Sequence, residues 1–208
     1  MIETDYKLLE DILKGERKEI CCIYGPPASG KTTVVKEAAV FQSKKNRKVF
    51  FIDSEKSFSV ERIIQLAQND KNVLDNIFVL KPKDLKEQGK FIKRLLKLKD
   101  VNLVIIDTIG VYYRLELKKN VDKANKEIHR QFNVLSELCS RGVSILVTNQ
   151  IYQNITTNNI SIVGGNMFKN WSKCLIRLEK EPRRLLFEKP ENKEVLFDIN
   201  NNGLVLKR

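Results

Sequence analysis

The sequence predicts an α/β fold in which a mostly parallel sheet is flanked by helices and continued by antiparallel strands near the C-terminus. Short apolar, β-branched runs alternate with segments of helical periodicity, which is typical of a parallel sheet covered on both faces. Residues 25–32 match the spacing GxxxxGK followed by Ser or Thr, and they lie between the first apolar run and the first helical segment. After residue 170 the runs become short and are separated by turn residues, which favours an antiparallel meander at one sheet edge.

The alternating pattern predicts the elements in the following order. Predicted strands lie near residues 19–24, 48–53, 77–80, 101–106 and 143–148. Predicted helices lie near residues 31–44, 58–68, 83–98 and 121–140. A chain of 208 residues is long enough for one sizeable core and short for two, so we expect a single domain that covers residues 1–208.

The composition is basic, with 38 Lys and Arg residues against 26 Asp and Glu residues and a formal net charge of +12. A basic surface attracts polyanions whatever the fold, so nucleic acid is the leading candidate partner. Part of this charge is a row of lysines spaced three and four residues apart, which places them on one face of the helix predicted at 83–98. The row is either a solvated helix face or a surface that contacts phosphates. It consists of Lys83, Lys86, Lys90, Lys93 and Lys97.

Other features of the composition exclude several classes of protein. No window approaches the roughly 18 uncharged apolar residues of a membrane span, and the first fifteen residues lack a signal-peptide pattern. We therefore expect a cytoplasmic protein without a membrane partner. The four cysteines have no CxxC spacing and the chain has one His, so neither a zinc site nor a disulfide framework is supported. We expect the cysteines to be buried as small apolar residues.

The segment GPPASGKT after the first strand has the residues of a phosphate-binding loop. Successive backbone N–H groups, with the N-terminus of the following helix behind them, would surround a polyphosphate. Lys31 would bring a positive charge to the β and γ phosphates, and the Thr32 hydroxyl would take one Mg²⁺ position. The predicted nucleotide-binding residues are Gly25, Pro26, Pro27, Ala28, Ser29, Gly30, Lys31, Thr32 and Thr33.

Two carboxylates follow neighbouring apolar strands. The strand LVIID ends in Asp107, where a P-loop protein places an acid that holds Mg²⁺ through a water molecule. The strand VFFID is followed by Ser54 and Glu55, and a carboxylate there could activate the water that attacks the γ-phosphate. We predict Asp107 as a metal residue and Glu55 as the general base. The alternatives are an acid that caps a turn for Asp107, and a helix N-terminal acid favoured by the dipole for Glu55.

The strand predicted at 143–148 is followed by Asn149 and Gln150. A neutral amide at a strand end can detect the γ-phosphate by hydrogen bonding without adding negative charge. We therefore predict that Gln150 takes part in catalysis. The alternative is an ordinary polar start to a loop.

The combined motifs resemble the ATPase core of the RecA/RadA recombinases over nearly the whole chain. The motifs are GPPASGKT, FIDSE, LVIIDT, YRLEL, VTNQIY and GGNMFKNWSKCLIRLEK, and the last of them are most similar to the archaeal RadB group. The resemblance implies a RecA-like fold that binds ATP and Mg²⁺. It also implies that Glu55 is the catalytic base and that Gln150 couples the nucleotide to a DNA-binding loop.

The resemblance further implies two loops that contact DNA. The first falls near residues 114–120 and the second near residues 152–164. The candidate DNA-binding residues are Arg114, Lys118, Lys119 and Tyr152, and solvated loops are the alternative. Trp171, predicted to begin a strand, is interpreted as a core residue, and stacking on a nucleic-acid base is the alternative.

The sequence departs from full-length relatives of this type at its start. Fewer than twenty residues precede the first strand, so we expect no separate N-terminal DNA-binding domain and no polymerisation motif of the Phe-x-x-Ala type. The resemblance therefore points to an accessory paralogue with weak, DNA-dependent ATPase activity. Its implied partners are DNA, expected to be single-stranded, a RadA-type recombinase and a Holliday-junction nuclease. Two alternatives are a nucleotide-binding module with negligible turnover and a P-loop small-molecule kinase.

Overall fold

A computed structural model describes residues 19–153, 160–162 and 164–207. The strands are β1 (Ile20–Gly25), β2 (Val49–Asp53), β3 (Ile77–Leu80), β4 (Leu103–Asp107), β5 (Ser144–Gln153), β6 (Ile160–Ile162), β7 (Cys174–Lys180), β8 (Arg183–Lys189), β9 (Lys193–Asn200) and β10 (Gly203–Leu206). The helices are α1 (Lys31–Lys44), α2 (Val60–Leu66), α3 (Leu85–Leu95), α4 (Gly110–Leu117), α5 (Val121–Ser140) and α6 (Asn166–Trp171), and a 3₁₀ turn at Lys71–Asn76 precedes β3.

These strands form a mixed sheet with the order β10-β9-β8-β7-β1-β5-β4-β2-β3. The six strands from β7 to β3 in that order are mutually parallel. Strands β8, β9 and β10 then extend the sheet beyond β7 in antiparallel fashion, and β6 pairs with the end of β5. This arrangement confirms the predicted α/β fold with an antiparallel C-terminal extension.

The central strands are buried on both faces, which explains why their sequences are nearly continuous apolar runs. Every residue of β1, β2 and β4 is buried. Cys21 and Ile23 belong to the core on the side of α1, whereas Ile20 and Cys22 belong to the core on the side of α5. Packed side chains on both faces of the sheet thus hold the carboxyl ends of these strands in place.

The cysteines are placed largely as expected. Cys21, Cys22 and Cys139 are buried, and Cys174 is half-buried. None of the helices in the part of the chain that the structure describes has the length and apolar character that a membrane span requires.

The segment predicted as the first DNA-binding loop is helical over its first half. Helix α4 runs from Gly110 to Leu117, so Arg114 lies in a helix and only the residues after 117 form a loop. The sequence did not reveal this helix because it is two turns long and begins with Gly110, Val111 and two tyrosines, which have low or modest helix propensity. Tertiary contacts stabilise it, since Ile109 and Tyr113 are buried in the core that includes α5.

Two further boundaries differ from the predictions. Strand β5 does not end at Thr148 but continues to Gln153, because its last three residues pair with β6. Trp171 ends helix α6 rather than beginning a strand. Trp171 is partly buried and packs against the core, because its ring stacks on Phe132 at a centroid distance of 5.5 Å. Its indole N–H donates to Nδ1 of His129 at 3.3 Å.

A buried acid joins the first helix to the C-terminal strands. Glu37 of α1 is 4% exposed, and its Oε1 accepts a hydrogen bond from the backbone N–H of Leu204 in β10. Its Oε2 has no hydrogen-bond partner among the described residues. Burial raises the pKa of Glu37 from 4.5 to about 8, against the opposing effects of the Leu204 N–H and Arg62. The folded protein therefore holds a proton on Glu37 at neutral pH.

We expect this proton to make stability depend on pH. Between pH 4.5 and about 8 the folded state binds a proton that the unfolded state has lost, so the free energy of unfolding should fall as pH rises and level off above pH 8. Since each pKa unit corresponds to about 1.4 kcal/mol, the loss should be on the order of a few kcal/mol. Urea unfolding at pH 5 to 9 should show that Glu37→Gln removes this dependence. Parallel profiles for the two proteins would contradict the assignment.

Candidate nucleotide-binding site

The predicted site residues lie together at the carboxyl edge of the central strands. Strand order places β1 beside β5, β5 beside β4, and β4 beside β2. The loop after β1, the end of β4, the segment after β2 and the later half of β5 therefore meet at one edge. In an open α/β sheet this is the edge where ligands bind.

The loop between β1 and α1 has the backbone geometry of a phosphate cradle. Gly30 has a φ of +108° and occupies the position before the first helical residue, a conformation that disfavours any residue with a Cβ atom. The backbone N–H of Ser29 donates to the carbonyl of Pro26 at 3.3 Å and closes the loop. Pro27 and Ala28 are exposed at its tip, and Ser29 is buried. The N-terminus of α1 thus faces the carboxyl edge of the sheet, where its free N–H groups favour an anion.

Lys31 is held inside this loop. Its ammonium group donates to the carbonyl oxygens of Gly25 at 3.0 Å and Pro26 at 2.7 Å, and the residue is 7% exposed. Burial lowers the pKa of Lys31, although Glu55 and Asp107 act in the opposite direction. A partly desolvated cation enclosed by carbonyl dipoles is well suited to interact with phosphate oxygens, because its charge is weakly screened.

Next to Lys31, the side-chain oxygens of Thr32 and Asp107 lie together and could both serve as metal ligands. The Thr32 hydroxyl donates to Oδ2 of Asp107 at 2.9 Å, and the Thr148 hydroxyl donates to Oδ1 of the same carboxylate. Burial raises the pKa of Asp107, and the two hydroxyl hydrogen bonds oppose this rise. Hydroxyl and carboxylate oxygens are the ligands that Mg²⁺ prefers, and one or two protein ligands are usual because the ion keeps several waters. The oxygen ligands that Thr32 and Asp107 offer therefore fit a magnesium ion.

Glu55 lies on the exposed side of the same edge. Its Oε1 accepts hydrogen bonds from the Thr108 hydroxyl at 3.0 Å and from the Gln150 side-chain amide at 2.7 Å. The backbone N–H groups of Ser54 and Glu55 both donate to the carbonyl of Asp107, at 2.9 and 3.2 Å. The predicted base, metal residue and γ-phosphate sensor are therefore connected by direct hydrogen bonds.

Asp53 contributes to this arrangement, although the sequence interpretation gave it no role. Its carboxylate is fully buried and accepts the backbone N–H groups of Ser57 at 2.9 Å and Phe58 at 3.0 Å. Lys36 donates to the carbonyl of Ser57 at 2.8 Å. These bonds hold the segment that carries Glu55. The signal available in the sequence was an acid that ends a buried apolar strand, whereas nothing distinguished Lys36 from other helical lysines.

A buried polar network extends from the site into the helical layer. The Ser54 hydroxyl donates to Oε1 of Gln88 at 2.9 Å, and the Gln88 amide donates to Oε1 of Gln131 at 2.8 Å. The Gln131 amide in turn donates to the carbonyl of Leu85 at 2.8 Å. All three side chains are buried, so each of these bonds satisfies a group that would otherwise be costly to bury. The network links the strand end beside Glu55 to α3 and α5.

The candidate DNA-binding residues are only partly described. Arg114 in α4 is exposed, as are Lys118 and Lys119 immediately after that helix. Lys119 forms an ion pair with Glu116 at 3.9 Å. The backbone of Tyr152 belongs to β5, but its side chain and most of the second predicted loop lie outside the described residues.

Comparison with known proteins identifies the family. The Rad51 family model matches residues 1–205. The chain belongs to the Rad51 family. Curated members called DNA repair and recombination protein RadB include one from Methanococcus maripaludis strain C5, which is 36% identical over 95% of this chain and 96% of its own length. Another, from Methanocaldococcus jannaschii, is 36% identical over 83% of this chain and 84% of its own length.

A solved structure of the family has the same fold. A structure titled "Crystal structure of the RadB recombinase" matches with a TM-score of 0.78 and 29% sequence identity, and the match covers 98% of each chain. These matches confirm the predicted resemblance to the recombinase family and to its RadB group. They also confirm the RecA-like fold class.

Proposed function

We propose that this protein is an accessory factor of DNA recombination and repair that binds ATP with Mg²⁺, hydrolyses it slowly and binds DNA. The observation that carries the proposal is the convergence of Lys31, the Thr32–Asp107 pair and Glu55 at one edge of the sheet. Membership of the Rad51 family supports the role in recombination, and so do the relatives that carry the name DNA repair and recombination protein.

In the proposed complex, the backbone of residues 25–30 surrounds the phosphates and Lys31 contacts the β and γ phosphates. Thr32 would hold Mg²⁺ directly and Asp107 would hold it through a water molecule. A bound Mg²⁺ ion would neutralise the charge that develops on the phosphate oxygens during transfer. The protein fixes the position of the Asp107 carboxylate in advance, because two hydroxyl groups on neighbouring elements donate hydrogen bonds to it.

In the proposed reaction, Glu55 orients the attacking water and takes its proton. Thr108 and Gln150 both donate to Oε1, and no donor among the described residues contacts Oε2. Oε2 is therefore the oxygen available to the water. The same two hydrogen bonds fix the orientation of the carboxylate on the carboxyl edge of the sheet.

The proposed DNA-binding surface includes the exposed basic residues at the end of α4. Arg114 and Lys118 have no ion pair with an acid among the described residues, whereas Glu116 is paired with Lys119 and Lys123. The net charge of +12 favours a polyanionic partner. We propose single-stranded DNA as the ligand, with a RadA-type recombinase and a Holliday-junction nuclease as protein partners.

We expect single-stranded DNA binding to weaken steeply with salt. The logarithm of the binding constant should fall by about 0.7 per phosphate contact for each tenfold rise in salt, because each contact releases condensed counterions. Removing two contacts with Arg114→Gln and Lys118→Gln together should lower this slope by about 1.4. Fluorescence anisotropy of a labelled oligonucleotide at several salt concentrations measures it.

The matched control is Arg47→Gln, an exposed arginine just before β2 at the opposite edge of the sheet. This substitution should leave the slope unchanged. Binding that is indifferent to salt would contradict a phosphate-tracking surface. Transfer of the γ-phosphate to a nucleoside would instead support the small-molecule kinase that the sequence left open.

A further inference from the structure

The phosphate-binding loop is held from its outer side by the C-terminal strands. Arg183, the first residue of β8, donates from Nη1 to the carbonyl oxygen of Ala28 at 3.2 Å. A Cβ atom at Gly30 would lie 2.7 Å from Cδ1 of Ile199 and 3.6 Å from Cε2 of Phe197, both in β9. The loop is thus in contact with strands that follow it by more than 150 residues in the chain.

The Arg183 contact fixes one particular peptide group. The carbonyl of the Ala28–Ser29 peptide accepts from Arg183, and the N–H of the same peptide donates to the carbonyl of Pro26 at 3.3 Å. The Pro26 carbonyl also accepts from the Lys31 ammonium at 2.7 Å. A chain of three hydrogen bonds therefore runs from Arg183 to Lys31, the residue proposed to contact the phosphates.

The loop conformation requires such support. Ala28 has a φ of +60°, a region that residues with a Cβ atom rarely adopt, and it is exposed at the tip of the loop. A strained residue persists only where its surroundings determine its conformation. Arg183 is the side chain among the described residues that contacts the Ala28 carbonyl. Asp198 of β9 lies 3.9 Å from Nε of Arg183 and helps to orient the guanidinium.

We propose that Arg183 is a positioning residue for the nucleotide site, which acts through the phosphate-binding loop rather than by contact with the nucleotide. This inference rests on the proposed function, since it concerns how the same site is prepared for ATP. It assigns the C-terminal meander a part in nucleotide affinity. The loop surrounds the α and β phosphates, so its geometry should matter equally for ATP and ADP.

The experiment compares two adjacent arginines on the same strand. Arg184 forms ion pairs with Glu179 and, at 3.3 Å, with Glu194, and no contact joins it to the phosphate-binding loop among the described residues. We expect Arg183→Ala to lower the affinity for both ATP and ADP by about tenfold in calorimetric titration, which is the usual effect of losing a charged hydrogen bond. Arg184→Ala should change either affinity by less than about twofold, because its ion pairs are partly exposed and neither involves the phosphate-binding loop.

A conservative variant separates positioning from a general structural effect. Arg183→Lys keeps a cationic donor that can reach the carbonyl and should recover most of the affinity. Thermal unfolding of all variants shows whether the fold is kept, and Arg183→Gln replaces the Ala variant if that protein is unfolded.

The proposal is overturned if Arg183→Ala binds both nucleotides like the wild type, or if Arg184→Ala loses as much affinity. A loss confined to ATP would also overturn it, because the guanidinium would then contact the γ-phosphate directly. If the wild-type protein bound neither nucleotide, the proposed function itself would fail. That outcome is distinct from a wild type that binds and an Arg183 variant that is unaffected.

Discussion

We expect Lys31→Ala to abolish measurable ATP binding. The wild-type ammonium is buried and enclosed by the carbonyl oxygens of Gly25 and Pro26, so its interaction with phosphate is weakly screened by water. Removing one partner of a buried charge pair costs about 3 to 5 kcal/mol. This corresponds to a loss of about 10² to 10³ or more in the dissociation constant. Equilibrium titration with ATP and Mg²⁺ measures the change.

The control for this variant is Lys44→Ala, which removes an exposed lysine from the last turn of the same helix. Its affinity should equal that of the wild type. Because Lys31 also bonds to two loop carbonyls, circular dichroism should accompany the titration and show that the variant remains folded. Retention of ATP binding by folded Lys31→Ala would refute the phosphate-cradle assignment.

Glu55→Gln should keep ATP binding and reduce hydrolysis by about 10² or more, the scale of a lost general base. Glutamine has nearly the same shape, and its carbonyl can still accept from Thr108 and Gln150, so the geometry of the edge should persist. What it lacks is the capacity to take a proton from water. Single-turnover phosphate release at saturating ATP, with and without single-stranded DNA, separates this chemical defect from a change in affinity.

The matched control is Glu61→Gln, an exposed acid in the first turn of α2 on the segment that follows Glu55. Its turnover should be unchanged. If Glu55→Gln and the wild type hydrolyse ATP at the same measurable rate, Glu55 is not the base. If neither protein shows turnover while both bind ATP, the nucleotide-binding module replaces the weak ATPase.

Local patterns were sufficient to predict most elements and the composition of the candidate site. The loop from Gly25 to Thr32 is recognisable because its spacing, its preceding strand and its following helix are contiguous in the chain. Asp107 and Glu55 were predicted from their positions at or just after the ends of buried strands. Such strand ends lie at the same edge of a parallel sheet. Helix α4 was missed because its stability comes from burial against α5 and not from its own sequence.

The limit of the sequence is most evident at Glu55 and Ala28. Gln150 donates to Glu55 across 95 residues, and Arg183 donates to Ala28 across 155 residues. Such contacts depend on which strands are neighbours in the sheet, and hydrophobic periodicity reports which face a residue occupies but not which strand lies beside it. The sequence by itself therefore determined the chemistry of the cradle and the elements that carry it. Only the tertiary structure decided which distant side chains hold the base and the loop in place, because strand order is set by packing of the whole core.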